Sequence, residues 1–79
     1  MSRLPAMTYR EVIRCLRTQG FVFDGQARGS HEIWYNPKSR RRTTLPNPPG
    51  MLPRGTLRAI IREAGVTVEE LLEQDRSEK

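Results

Sequence analysis

One cysteine and one histidine in 79 residues leave little from which to build a metal site. Cys15 cannot form an internal disulfide, and with His31 it falls short of the cysteine and histidine sets that hold zinc. A lone cysteine suits a reducing cytosol. The nine Asp and Glu residues are scattered, without a spaced pair resembling a cation site. There is no glycine-rich phosphate loop, no apolar signal run after Met1, and no segment of membrane-spanning length. A cytoplasmic protein is expected, with no metal, no small-molecule cofactor and no membrane contact. Lysine is scarce as well, Lys38 and Lys79 being the only two.

What is abundant is arginine. Fourteen basic residues against nine acidic ones give a net charge of +5 and a pI near 10.4. The imbalance is uneven: residues 1–65 hold twelve basic and four acidic side chains, residues 66–79 two and five. The body of the chain is therefore more basic than the total suggests. Phosphate-bearing partners lead the candidates, and arginine forks phosphate better than lysine does. The length suits one small domain, spanning 1–79, with an ordered core over about 4–73 and a charged, frayed tail over 74–79.

Thr8 and Glu11 have capping-box spacing, after which Tyr9, Val12, Ile13 and Leu16 recur at helical intervals until Gly20. This predicts a helix from about Thr8 to Gln19, with Cys15 near its apolar stripe as a small buried hydrophobe. Its other face carries Arg10, Arg14 and Arg17, either a solvated face or a phosphate-facing ridge. Phe21–Phe23 forms a β-rich run, followed by a polar stretch, Asp24–Arg28, with Gly25 and Gly29 as turn or bulge positions. A second run covers His31–Tyr35 and turns at Asn36-Pro37, and a third passes through Arg42–Leu45. Alternation puts His31, Ile33 and Tyr35 on one face of the second strand and Glu32 with Trp34 on the other. Aromatics occur on both, so the pattern leaves open which face packs on the helices. Residues 46–53, with four prolines, read as a stiff loop. Leu57, Ile60, Ile61 and Ala64 mark a second helix stopped by Gly65, and Thr67 with Glu70 opens a short third.

The predicted fold is thus α+β, an α-β-β-β-α order with a three-stranded antiparallel sheet, both main helices on one sheet face, and a short extra C-terminal helix. That layout matches double-stranded RNA-binding domains.

The chemistry narrows to one general acid or base among cations. Ribose supplies its own nucleophile, the 2′-OH, so RNA cleavage needs only a base for that proton and charge for the phosphorane. His31 is the candidate, since an imidazole changes charge near neutral pH. Arg28, Lys38, Arg40, Arg41 and Arg42 are candidate phosphate ligands, with Tyr35 a candidate proton donor. Trp34 and Tyr35 suit either base stacking or the core. A non-catalytic RNA-binding module, or a basic face made for an acidic protein partner, would carry the same charge.

The stretch GFVFDGQARGSHEIWYNP, the proline segment that follows the third run, and LPRGTLRAIIREAG from Leu52 to Gly65 resemble the HicA family of toxins over roughly residues 4–72. The resemblance implies a fold like a double-stranded RNA-binding domain, ribosome-independent cleavage of mRNA, and silencing by a HicB-like antitoxin protein. The family's catalytic histidine falls on His31, with Gly29 and Ser30 completing its motif. The RNA-binding group so expected is Arg28, Gly29, Ser30, Lys38, Arg40, Arg41 and Arg42. Gly55, Thr56 and Leu57 match a second motif, which reads physically as a helix-start turn, a hydroxyl cap and a core leucine. Many relatives carry a second histidine after the third strand, where this chain has Pro46, Asn47 and Pro48, so the resemblance leaves open whether that loop contributes to catalysis and rests more on His31.

Overall fold

The computed structural model describes residues 4–46 and 50–76, with side chains through Leu72. The elements run α1 (Tyr9–Thr18), β1 (Val22–Gln26), β2 (Glu32–Asn36), β3 (Arg41–Leu45), α2 (Arg54–Ala64) and α3 (Val68–Arg76). The strands form one antiparallel sheet in the order β1-β2-β3. This is the expected α-β-β-β-α architecture with a further short helix.

The caps explain where the helices begin. Thr8 Oγ1 accepts the Glu11 amide and Glu11 Oε1 accepts the Thr8 amide, closing the box at α1. Thr67 and Glu70 repeat the exchange at α3. At α2 the expectation fails. Pro53 occupies the N-cap and offers no side-chain bond, while Thr56 lies inside the first turn. Capping needs a side-chain oxygen on the N-cap residue itself, and Thr56 is three residues beyond it. Gly65 ends α2 in the left-handed conformation, at φ 73°.

β1 runs further than its apolar residues. It continues through Asp24 to Gln26 by a bulge at Asp24 and Gly25, where the pairing register slips and Gly25 takes φ 134°. Bulges accommodate polar residues because the strand twists its edge into solvent.

Packing settles which face of β2 is inside. Trp34 is buried, and its cross-strand partner Thr43, with Leu45 two residues on, is buried on the same face. The core gathers Val12, Cys15 and Leu16 from α1, Leu57, Ile60 and Ala64 from α2, and Leu71 from α3. The buried Thr43 hydroxyl donates to Glu63, tying β3 to α2. Asn36, the other buried polar residue, donates to the Gln19 carbonyl and accepts the Lys38 and Ser39 amides, fastening the β2–β3 turn to the end of α1. The segment before α1 is held by a bridge between Thr8 and Met51 and by Arg54 on the Leu4 carbonyl. Asn47, Pro48, Pro49 and residues 77–79, the end of the expected tail, lie outside the described residues.

Candidate nucleic-acid interface

His31 is placed by a tight connection between β1 and β2. The Ala27 amide donates to the His31 carbonyl at 2.9 Å, and the His31 amide donates to the Arg28 carbonyl at 3.2 Å. Gly29 is the first central residue of the inner turn, at φ 63°, and Ser30 keeps a negative φ, the pattern of a type II′ turn. An L-residue at Gly29 would cost about 1–2 kcal/mol of strain. The motif glycine is therefore a requirement of the turn that presents His31.

The imidazole is exposed, and its Nδ1 lies 3.1 Å from the Arg28 carbonyl. A carbonyl only accepts, so the bond uses a proton on Nδ1, and in the neutral ring that tautomer carries its lone pair on Nε2. The Arg28 oxygen takes both His31 donors on its two lone pairs.

The basic residues divide into two groups. Arg28, Gly29 and Ser30 share the turn with His31. Lys38, Arg40 and Arg41 lie at the opposite end of β2, roughly 16 Å away by strand rise, on or beside the β2–β3 turn. Arg40 adopts φ 62° there, its amide donating to the Asn36 carbonyl. Arg41 leans over the C-terminus of α2: a Cβ placed on Gly65 would fall 2.5 Å from its Nε. A cation at that end suits the helix dipole. Arg42 stands over the Tyr35 ring, 5.0 Å from its centroid, and 3.4 Å from the Asp24 carboxylate. Tyr35 is four residues from His31, roughly 13 Å along the strand, too far to serve the same phosphate.

Trp34 belongs to the core, not to a stacking platform. Its indole N–H donates to Glu32 Oε1 at 3.2 Å, and the Tyr9 hydroxyl donates to the same oxygen. The signal for this cluster in the sequence is Glu32 sharing a strand face with Trp34; nothing local points to Tyr9. The cluster anchors the residue next to His31 to the start of α1. The Tyr9 hydroxyl is pushed well above the ordinary tyrosine value, first by burial, then by the hydrogen bond and charge of Glu32, with Arg17 opposing. The folded protein thus keeps a proton that the unfolded chain releases. Tyr9 stabilises fully below about pH 10 and progressively less as pH rises towards its folded value. The stability gap between wild type and Tyr9→Phe in urea melts should narrow from about pH 9 to 11. A gap independent of pH would contradict this linkage.

Among the described residues, no three His, Cys, Asp or Glu side chains gather as they would around a metal ion, and no helix is long and apolar enough to cross a membrane.

Fold and turn together define an α+β domain with the α-β-β-β-α layout shared by double-stranded RNA-binding domains, displaying one imidazole on a hairpin. A family model described as "HicA toxin of bacterial toxin-antitoxin" matches residues 9–66, from the start of α1 to just past Gly65. The chain belongs to the HicA toxin family. No curated protein matches it.

Proposed function

We propose that this HicA-family toxin is an endoribonuclease that cleaves mRNA without a metal ion, with His31 as its general base. The observation that carries this reading is the exposed imidazole, held through Nδ1 by the Arg28 carbonyl so that Nε2 has the free lone pair. Nε2 removes the 2′-OH proton, the 2′ oxygen attacks the adjacent phosphorus, and the bond from phosphorus to the 5′ oxygen breaks. The leaving oxygen takes its proton from solvent, which reaches this open turn. Products are a 2′,3′-cyclic phosphate and a 5′-OH. Arg28, in the same turn, balances charge on the phosphorane.

Gly29 and Ser30 shape the approach, and Lys38, Arg40, Arg41 and Arg42 hold the RNA further along its backbone. β3 ends opposite Glu32, so the chain leaves the sheet through Pro46 at the His31 end. The antitoxin is a HicB-like protein whose acidic surface covers this turn, and both act in the cytoplasm. Charge complementarity of that kind raises association rate more than affinity.

The test is purified protein with single-stranded RNA in EDTA, followed by analysis of fragment ends. Cyclic-phosphate products are expected. Intact RNA with retained binding would leave a non-catalytic RNA-binding module instead.

A further inference from the structure

The solvent face of α1 takes no part in the mechanism above. Arg10, Arg14 and Arg17 follow one another at intervals of four and three residues, which aligns them over roughly 10 Å of helix axis. The helix has one acidic residue, Glu11, and its carboxylate is committed to the capping box. A groove of about 480 Å³ runs along this face, lined by the three arginines with Tyr9, Ile13 and Thr18.

At the far end of the groove, the Arg17 guanidinium stands over the Trp34 ring at 5.4 Å. Phe23 meets the same indole edge-on, with centroids 5.8 Å apart. Phe23 pairs with Trp34 across the strands and so shares the helix-side face, yet it is 53% exposed. A phenyl ring half in water beside a fixed arginine is a poor core residue and a good stacking surface. At the near end, Tyr9 bonds Glu32, the neighbour of His31.

We infer that this face of α1 is a binding track for single-stranded RNA, with phosphates on Arg10, Arg14 and Arg17 and an unpaired base on Phe23. The inference rests on the RNA-cleaving reading for the identity of its ligand. Charge complementarity favours a phosphate backbone, and the exposed phenyl favours a single strand, because a duplex keeps its bases stacked on one another. The track leads towards the turn of His31.

The test measures binding without cleavage. A short fluorescein-labelled single-stranded RNA is titrated by anisotropy, over a series of salt concentrations, into protein carrying His31→Ala. Adding Arg10→Ala with Arg14→Ala should flatten the dependence of log affinity on log salt by roughly 1.4, two contacts at about 0.7 each. Adding Arg58→Ala with Arg62→Ala is the control. These arginines are exposed on α2 at the same spacing, so the net charge changes equally while the track is intact. Adding Phe23→Ala should weaken binding roughly tenfold with the salt slope unchanged.

If the α1 pair and the α2 pair give the same slope, the track is overturned, and the ridge serves another surface, such as an acidic protein. If Phe23→Ala binds like its parent, the base platform is overturned. A slope change confined to the α1 pair supports the track even if wild-type protein leaves RNA intact. Cleaving protein with indistinguishable pairs would refute the track while sparing the enzyme.

Discussion

Replacing His31 by alanine is expected to slow RNA cleavage by at least 10²- to 10⁴-fold, about the worth of a positioned general base, while RNA affinity and melting temperature stay at wild-type values. The side chain is exposed and, among the described residues, bonds only the Arg28 carbonyl, which still receives the His31 amide after the substitution. The turn therefore survives the loss of the ring. With no second histidine in the chain, no other imidazole can take over. Single-turnover cleavage of labelled RNA in EDTA measures the rate, and anisotropy measures the affinity. Cleavage by His31→Ala at the wild-type rate would remove His31 from the chemistry. A parallel fall in rate and affinity would make it a binding residue. The selective loss of rate is the signature of a group that acts at the transition state.

Much of the fold was legible because it is written locally. Two capping boxes, a helix-ending glycine and the Asn36-Pro37 turn each act within a few residues, and each falls where its spacing puts it. The misreadings have physical causes too. β1 runs beyond the expected Phe21–Phe23; Asp24, Gly25 and Gln26 have the composition of a loop, and only pairing with β2 through a bulge makes them strand. Thr56 looked like a cap because hydroxyls favour that role, but Pro53 reaches the position first. The basic cluster shows the limit most clearly. Lys38 to Arg42 follow His31 closely in sequence, yet a hairpin carries Lys38, Arg40 and Arg41 to the other end of the sheet and turns Arg41 onto α2 and Arg42 onto Tyr35. The motif of Gly29, Ser30 and His31 remained compact because it occupies a single turn.

The inner face of β2 could not be read from alternation, and Trp34→Ala is the substitution that tests it. The indole is 3% exposed and sits between Phe23, Arg17 and Glu32. Truncating a buried tryptophan costs about 3–5 kcal/mol. A chain of 79 residues has about 4–12 kcal/mol in total, so the variant should lose at least a quarter of its stability, and the midpoint of thermal unfolding should fall by more than roughly 12 °C. Trp34→Phe keeps an aromatic ring in place and drops the bond to Glu32, so its loss should be smaller. The comparison is made by far-UV circular dichroism in urea, because the substituted residue is the only tryptophan. An unchanged denaturant slope would show that the loss belongs to the native packing. A loss below about 1 kcal/mol, within the range of ordinary substitutions, would mean that Ile33 and Tyr35 face the core instead.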